Sequence, residues 1–456
     1  TGSTFRNNVQ GGTLGGSVYW TNTFAATLNV SNNVFENNAC ASGTGGAVAV
    51  SSASAILTVA NNMFRNNSAN FGGALRLSGN TNAIFTITNN DFKDQVTTSS
   101  GGAVYLDLTG STYSASDNRY ENNSAASSGG AEYCAGKGSF LYQITNNTYL
   151  DNTASANGGG IRLGATGPGF PTVKINSSTF TSNSAVGNGG GIFVNSTLAT
   201  TTLEVNGTLF EQNSANFGGG EYIATTDTIT AVWTDNIYKN NSVSDSGGGS
   251  RFQADQSTGA SFTVLRNQYL LNQAADKGGG LYMTCDFCDV EMEYNYFDSN
   301  DAVNSGGGAV MNLGNAIVSI TNETYVGNEA GKGGGLYVYF RNDSTTTLAQ
   351  CNFTANNALT TLGGGLLTNN DACQTTVYNN YYDSNRANSG GGGCFMQAGL
   401  AGAVNVTGET MVNNYAAANG GGGFYSITEG SLVHISDSIV NNNTADVDLG
   451  ESKGGG

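Results

Sequence analysis

One short motif recurs along the whole 456-residue chain and constrains its fold more than any other feature. An aromatic residue is followed three positions later by Asn, as in Phe35 to Asn38, Phe64 to Asn67 and Tyr269 to Asn272. Successive copies are about 29 residues apart, a period typical of architectures in which each repeat contacts only its neighbours. The sequence therefore predicts one repetitive body.

A second motif follows most of these aromatic residues. It consists of two Gly residues, a small residue and an apolar residue, as in Gly45 to Val48, Gly72 to Leu75 and Gly101 to Val104. Because the first two positions accept only Gly, we expect either a positive φ angle or no room for a Cβ atom there. We predict that this motif forms a tight corner in every repeat.

Apolar residues alternate with other residues on both sides of each corner. Val48 and Val50 follow one corner, and Leu57 and Val59 precede the next aromatic residue. A period of two is typical of a strand that buries one face, and no stretch sustains a helical period. We predict an all-β fold, a right-handed parallel β-helix of about 16 coils of about 29 residues, which forms a single domain over residues 1–456 with no second domain.

Asn also recurs two positions before the aromatic residue, as at Asn33, Asn62 and Asn90. In a parallel β-helix both Asn positions stack from coil to coil, and stacked amides hydrogen-bond along the axis. Asp is nearly isosteric, but carboxylates at that spacing would repel each other in a partly dry interior. We therefore predict two ladders of Asn side chains.

The FxxN motif and the GGA motif followed by Ile, Leu or Val together resemble the repeats of the chlamydial polymorphic outer membrane proteins. Pairs such as Phe35 to Asn38 with Gly45 to Val48 carry the resemblance, which covers nearly the whole chain. The resemblance implies a right-handed parallel β-helix and a surface-exposed passenger implicated in adhesion. It therefore also implies an extracellular or cell-surface location.

Composition argues against several classes of partner and cofactor. Only 16 Lys and Arg residues accompany a net charge of −17, so we expect no nucleic acid partner. No apolar run is long enough for a transmembrane segment. One His and seven scattered Cys predict no metal site and no cofactor, and the one close pair, Cys285 and Cys288, is predicted to form a disulfide.

Chemistry typical of enzymes has little support in the sequence. Sugar-cleaving β-helices place carboxylates on neighbouring coils, but the outward residues Glu291 and Glu293 have no acid at the equivalent positions one coil away. His434 occupies a predicted inward position in the last coil. We predict no catalytic residues and no enzyme activity, with a polysaccharide lyase-like enzyme as the least favoured alternative.

Asn-x-Ser/Thr sequons supply candidate glycosylation sites, although their number is about what chance gives in a chain of this composition. No sequon Asn falls in a predicted inward apolar position. The candidates are Asn29, Asn66, Asn122, Asn146, Asn176, Asn195, Asn206, Asn240, Asn322, Asn342, Asn352 and Asn405, with Asn442 as a further match near the end of the chain.

Aromatic residues recur at the outward position that follows each Gly corner, between the two inward apolar residues. They predict a surface aromatic column of Tyr105, Tyr133, Phe193, Tyr222, Tyr282, Tyr337, Phe395 and Tyr425, joined by Arg76, Arg162 and Arg251. Stacking across strands would stabilise the sheet by about 0.2 to 1 kcal/mol per pair. The alternative is a docking stripe for glycans or for a host or cell-surface protein.

These features favour a noncatalytic extracellular role. We predict a structural subunit of a surface fibre or filament that self-associates and carries glycans, with a cell-surface adhesin or glycan-binding passenger as the alternative. Thr1 lies inside a predicted coil and Gly456 on a corner. We therefore expect either a longer native chain or stacking of one β-helix on the next, because bare strand edges invite pairing.

Overall fold

The computed structural model is a parallel β-helix of about 15 turns of about 29 residues, which confirms the predicted fold class. It describes residues 1–445 except 13, 23, 198, 255–258, 400 and 429. Those residues contain strands and no helix. The chain divides into two compact units, Thr1–Ala231 (unit 1) and Val232–Gly456 (unit 2). The single domain stays a prediction.

Within each unit, each complete coil contributes four short strands, and each strand pairs in parallel with the equivalent strand of the next coil. We name the sheets A to D in chain order. Sheet A carries the FxxN aromatic residue and sheet B follows it. Sheet C follows the Gly corner, and sheet D precedes the next aromatic residue. Within the described residues of each unit, the strands have the following bounds.

The sheet A strands of unit 1 are Thr4–Arg6, Val34–Glu36, Met63–Arg65, Asp91–Lys93, Arg119–Glu121, Thr148–Leu150, Thr179–Thr181 and Leu209–Glu211. Its sheet B strands are Val9–Gln10, Ala39–Thr44, Ser68–Phe71, Val96–Thr97, Ser124–Ala125, Thr153–Ala154, Ser184–Ala185 and Ser214–Ala215. Its sheet C strands are Val18–Asn22, Val48–Ser52, Leu75–Asn80, Val104–Thr109, Glu132–Lys137, Ile161–Thr166, Ile192–Thr197 and Glu221–Thr225. Its sheet D strands are Thr27–Ser31, Ile56–Ala60, Ile84–Thr88, Thr112–Ser116, Leu141–Thr145, Thr172–Asn176 and Thr201–Asn206, and Ile229–Thr234 has residues in both units.

The sheet A strands of unit 2 are Ile237–Lys239, Gln268–Leu270, Tyr296–Asp298, Thr324–Val326, Asn352–Thr354, Tyr381–Asp383, Thr410–Val412 and Ile439–Asn441. Its sheet B strands are Ser242–Val243, Gln273–Ala274, Asp301–Ser305, Glu329–Lys332, Asn357–Ala358, Arg386–Ala387, Tyr415–Ala416 and Thr444–Ala445. Its sheet C strands are Ser250–Ala254, Leu281–Asp286, Ala309–Gly314, Leu336–Arg341, Leu366–Asp371, Cys394–Ala398 and Gly423–Ile427. Its sheet D strands are Ala260–Leu265, Cys288–Glu293, Ile317–Thr321, Thr345–Ala349, Gln374–Tyr378, Ala403–Thr407 and Leu432–Ser436.

The FxxN aromatic residues form a stack inside each unit. In unit 1 successive ring centroids lie 4.5–5.2 Å apart, from the pair Phe5 and Phe35 to the pair Phe180 and Phe210. The rings of unit 2 lie 4.6–5.0 Å apart in the same way. Spacing of this size matches the distance between neighbouring strands, so each of these coils supplies one ring to the core. Met411 and Val440 take the position after Tyr382.

The Gly corner has the two causes that the sequence indicated. Gly45 has a φ angle of 68°, in the left-handed region that side chains disfavour. Gly46 has no such angle, but a Cβ atom there would overlap the carbonyl oxygen of Gly73 in the next coil. Ala47 is fully buried. The first Gly is therefore needed for its conformation and the second for the close approach of two coils.

The Asn of the FxxN motif forms a continuous ladder within each unit, which we call the FxxN ladder. Asn38 Nδ2 donates to Asn67 Oδ1 at 2.9 Å, and the backbone N–H of Asn38 donates to the same oxygen at 3.0 Å. Asn67 Nδ2 also donates to the backbone oxygen of Phe35 at 3.0 Å. The same pattern recurs in unit 2, for example from Asn272 to Asn300. The first predicted ladder is confirmed.

The Asn two positions before the aromatic residue forms a second ladder, which we call the upstream ladder. Asn62 Nδ2 donates to Asn90 Oδ1 at 3.0 Å, as predicted. Other residues interrupt the Asn series in both units: Ser178, Thr208, Glu323, Cys351, Glu409 and Ser438. The two Glu residues place buried carboxyl groups in a position where the sequence argument expected amides.

The register of the last described coil differs by one residue from the prediction. Val440 pairs with Met411, and Asn414 Nδ2 donates to Asn443 Oδ1 at 2.9 Å. His434 therefore pairs with Asn405 and is exposed, so its predicted inward position is wrong. Two adjacent Asn residues end this repeat, and the sequence motif alone fits either of them.

Candidate functional site

The outward row on sheet C is the predicted surface aromatic column, and in unit 1 its side chains pack on each other. Arg76, Tyr105, Tyr133 and Arg162 occupy the same position on successive strands. The two Tyr rings stack with centroids 5.0 Å apart and planes 9° apart. The guanidinium carbon of Arg76 lies 5.6 Å from the ring centroid of Tyr105, and that of Arg162 lies 4.9 Å from the centroid of Tyr133. These contacts have the geometry of cation–π pairs.

Part of this row is buried rather than exposed, contrary to the prediction. The exposed fractions are 5% for Phe193, 7% for Tyr222 and 5% for Phe395. Phe193 and Tyr222 have centroids 5.4 Å apart, and Phe217, from the turn between sheets B and C, lies 6.2 Å from Tyr222. Burial also raises the pKa of Tyr105 to about 12, with a smaller contribution from Tyr133. In unit 1, stacking of side chains between neighbouring strands therefore explains why aromatic residues recur in this row.

One predicted member lies outside the row. Tyr425 pairs with Met396, a fully buried residue of the inward row. The sulfur of Cys394, which is also buried, lies 3.8 Å from Tyr425 Oη. The prediction for Tyr425 is therefore wrong. A run of four Gly over residues 420–423 makes the corner ambiguous in the sequence, and the structure starts it at Gly420, which has a φ angle of 55°.

The row of unit 2 contains a hollow. Tyr282, Val310 and Tyr337 occupy the row position on three successive strands, and Val310 is the smallest of them. A cavity of about 240 Å³ is lined by both Tyr residues and by Val310, which is 2% exposed, with Tyr339 and Ser305 also in its lining. Asn312, two residues further along the same strand, lines it as well. A small side chain in an aromatic row therefore creates a recess on this face.

Positive charge borders the hollow. Lys332 Nζ lies 4.8 Å from the ring centroid of Tyr337, and burial raises the pKa of that Tyr. Lys277 also lines the recess, with its Nζ 3.3 Å from a carboxylate oxygen of Asp276. Arg341 Nε donates to Asn312 Oδ1 at 3.2 Å, which leaves the amide Nδ2 of Asn312 available as a donor. Sequence analysis missed these polar residues, because they do not recur with the repeat.

The sequon candidates lie at accessible positions. Asn176, Asn195 and Asn322 are half-buried, and the other nine candidates are exposed. Asn66, Asn122 and Asn240 share one corner between sheets A and B, where their φ angles are 51–54°. Asn is one of the few residues that adopts this left-handed conformation readily, so backbone geometry also accounts for Asn there. Glycosylation stays a prediction.

The predicted cysteine pair is joined in the structure. Cys285 and Cys288 form a disulfide with their Cα atoms 6.3 Å apart, within the usual range. The free cysteines are Cys40, Cys134, Cys351, Cys373 and Cys394, all buried. Burial raises the pKa of the Cys134, Cys351 and Cys394 thiols, which therefore resemble small apolar core residues.

This arrangement predicts a thiol count. Without reductant, the unfolded protein is expected to present five free thiols to a thiol reagent, and the folded protein almost none, because the five are buried. Peptide mapping by mass spectrometry should recover one linked peptide with Cys285 and Cys288. Seven reactive thiols in the unfolded protein would contradict the disulfide, and the Cys285→Ser, Cys288→Ser double variant is the control that should still give five.

A buried carboxyl group inside unit 1 escaped the sequence analysis. Glu132 is fully buried at an inward position of sheet C, and its carboxyl oxygens accept hydrogen bonds from Tyr113, Tyr142 and Tyr149 at 3.1, 2.9 and 2.8 Å. Burial raises the pKa of Glu132, against the opposing effect of the tyrosine hydroxyl groups. The signal was present in the sequence, since Glu132 stands where the adjacent coils have Val104 and Ile161.

The acidic stretch of sheet D keeps the arrangement that the sequence indicated. Glu291 pairs with Thr263 on one side and Ser319 on the other, so no carboxylate lies directly above or below it. Among the described residues, no three His, Cys, Asp or Glu side chains form a group that could hold a metal ion. The absence of enzyme activity stays a prediction.

The fold and this row define the class of the protein: a parallel β-helix with polar ladders inside and a row of aromatic and cationic side chains on sheet C. Within the described part of the chain, no helix is long and apolar enough to cross a membrane. No protein-family model, no curated protein and no solved structure matches the chain. The resemblance to polymorphic outer membrane proteins therefore depends on the two motifs.

Proposed function

We propose that this protein is an extracellular structural protein, a glycosylated subunit of a surface fibre or filament assembled from β-helices. The observation that carries the proposal is the uniform contact between coils. Each coil gives the next the same strand edges and the same ladder amides that it receives, as from Asn272 to Asn300. A contact of this kind is heterologous, and it can extend from chain to chain without closing.

Membership in the polymorphic outer membrane protein repeat family is part of the same proposal. The aromatic residue of the FxxN motif forms the inner stack, its Asn forms the FxxN ladder, and the GGA motif forms the corner. Each motif thus has a structural role in one coil, which supports a family relationship based on these two motifs. A surface location follows from that relationship.

Self-association tests the proposal directly. The purified chain is expected to form oligomers that grow with protein concentration in sedimentation velocity, and filaments in negative-stain images. Because strands would lie across the filament, fibre diffraction should give a meridional reflection at about 4.8 Å. A chain that stays monomeric at all concentrations would overturn the proposal, and filaments without this reflection would overturn stacking along the helix axis.

A second candidate function is a glycan-binding surface protein. The hollow between Tyr282 and Tyr337 favours it, because half-buried aromatic rings beside Lys and Asn side chains offer both stacking surfaces and polar contacts. Such a combination is typical of small-ligand sites, where a few polar groups fix the orientation of a ligand on an apolar surface.

A further inference from the structure

We propose that the hollow on sheet C of unit 2 binds the ring of an acidic sugar, a uronic acid residue of a polysaccharide. The hollow is bordered by Tyr282 and Tyr337, has Val310 and Asn312 along one strand, and is lined by Lys277 and Lys332. The inference rests on the second proposed function and names its site and ligand class. A sugar-binding site goes beyond the role of a structural fibre subunit.

One face of the Tyr282 ring is available for stacking inside the hollow. Arg251 precedes Tyr282 by one strand, and its guanidinium carbon lies 4.9 Å from the ring centroid. That guanidinium covers the face on its own side. The opposite face points toward the next strand, where Val310 is smaller than a ring, is 2% exposed and lines the cavity. A ligand ring can therefore stack on Tyr282 where a coil with Tyr at this position would place its own side chain.

The separation between Tyr282 and Tyr337 is large enough for a sugar ring. Tyr282 and Tyr337 lie two strands apart, which corresponds to about 9.6 Å. Two layers of van der Waals contact need about 7–8 Å of this separation. A puckered pyranose ring with its hydroxyl groups is thick enough to fill this separation. The volume of about 240 Å³ is also suited to one sugar ring rather than to a protein element.

The positive charge beside the hollow favours an acidic sugar over a neutral one. Lys332 stacks on Tyr337 and forms no ion pair with the described residues, and Lys277 adds a second ammonium group. This cluster of positive charge lies in a protein with a net charge of −17. A carboxylate on the pyranose ring would meet Lys332, and Asn312 would donate from Nδ2 to a ring hydroxyl group. A neutral sugar would leave the Lys332 ammonium group without a counter-charge, whereas Lys277 already pairs with Asp276.

Two oligosaccharides test the inference on the full chain. Trigalacturonic acid carries the carboxylates, and its methyl ester keeps the same rings without the charge. In isothermal titration calorimetry, the acid is expected to bind at least about tenfold more tightly than the ester, a difference of about 1.4 kcal/mol. Lys332→Gln is expected to remove most of that difference.

Val310→Tyr is the decisive variant. Tyr occupies this row position in neighbouring strands, so the variant is expected to fold, to place a ring between Tyr282 and Tyr337, and to weaken binding of the acid by at least about tenfold. Leu367→Tyr, on the same row one strand beyond Tyr337, is the matched control and should bind as the unaltered protein does.

The outcomes separate the site from the function. If the unaltered chain binds neither oligosaccharide, the acidic-sugar inference is overturned; absence of binding to a wider panel of neutral and acidic glycans would overturn the glycan-binding function as well. If the acid binds but Val310→Tyr binds it equally well, glycan binding stands and this hollow is not its site. Equal affinity for acid and ester would overturn the acidic class of ligand.

Discussion

Replacing Asn272 with Leu is expected to lower the free energy of unfolding by about 3 kcal/mol or more. The Oδ1 atom of Asn272 accepts hydrogen bonds from the backbone N–H and the Nδ2 of Asn241, both at 3.0 Å. Its Nδ2 donates to the backbone oxygen of Tyr238 at 2.9 Å and to Asn300 Oδ1 at 2.9 Å. Leu would remove all of these partners at once, and each buried polar group left unpaired costs about 1–3 kcal/mol. Chemical denaturation followed by circular dichroism measures the change.

A neighbouring residue provides the control for this ladder variant. Gln273 is exposed, so Gln273→Leu should change the free energy of unfolding by less than about 0.5 kcal/mol. Asn272→Asp is a finer test, because it keeps the shape but directs a carboxylate oxygen at the acceptor oxygens of Tyr238 and Asn300. Its defect should diminish at acidic pH. If Asn272→Leu and Gln273→Leu are equally stable, the ladder does not hold the coils together.

The periodic part of the fold was accessible from the sequence because each coil repeats the same physical requirements. Sheets C and D have five or six residues per strand in most coils, enough for alternation to be visible, as at Val48 and Val50. Sheet A strands have three residues and most sheet B strands have two, too few for any periodicity. The register prediction failed where two adjacent residues fit one motif, as at Asn442 and Asn443. Only the hydrogen bonds between coils distinguish these two residues.

The candidate site was predictable as a row but not as a surface. Position after the Gly corner placed Tyr282 and Tyr337 on one face of sheet C, and their partners on adjacent strands confirm that placement. Exposure depends on side chains outside sheet C, such as Phe217 from a turn between sheets B and C and Lys332 from the end of a sheet B strand. The hollow itself depends on one exception, Val310, which a search for recurring residues passes over.

Two exceptions in the upstream ladder have a consequence for stability. Glu323 Oε1 accepts hydrogen bonds from the backbone N–H and the Nδ2 of Asn295 at 3.2 and 2.9 Å. Glu409 Oε1 accepts from the same groups of Asn380 at 3.0 and 3.1 Å. Burial raises the pKa of Glu323 to about 8 and that of Glu409 to about 7. A protonated carboxyl group is neutral and has a donor, so it can replace an amide where a carboxylate would be repelled.

The raised pKa values predict that the protein loses stability as the pH rises. Above the ordinary Glu pKa of 4.5, the unfolded chain releases both protons while the folded chain keeps them until pH approaches about 7 and about 8. The folded state therefore binds more protons in this interval, and its stability falls with increasing pH. Each group contributes a loss of about 1.4 kcal/mol per pH unit, and stability is highest below the unfolded pKa.

The Glu323→Gln, Glu409→Gln double variant should remove the contribution of these two groups to the pH dependence, whereas Glu132, whose pKa is also raised, keeps its own. A Gln side chain fits a ladder position, since Gln95 Nε2 donates to the backbone oxygen of Phe64 at 2.8 Å and Gln95 Oε1 accepts from Asn67 Nδ2 at 3.0 Å. We expect the double variant to be several kcal/mol more stable than the unaltered chain at about pH 8 and similar to it at about pH 4, because the carboxyl groups are then neutral in both states. Denaturation across this pH range measures both effects, with the exposed Glu291→Gln as the control. A double variant that keeps the original slope would show that these carboxyl groups do not retain their protons in the folded protein.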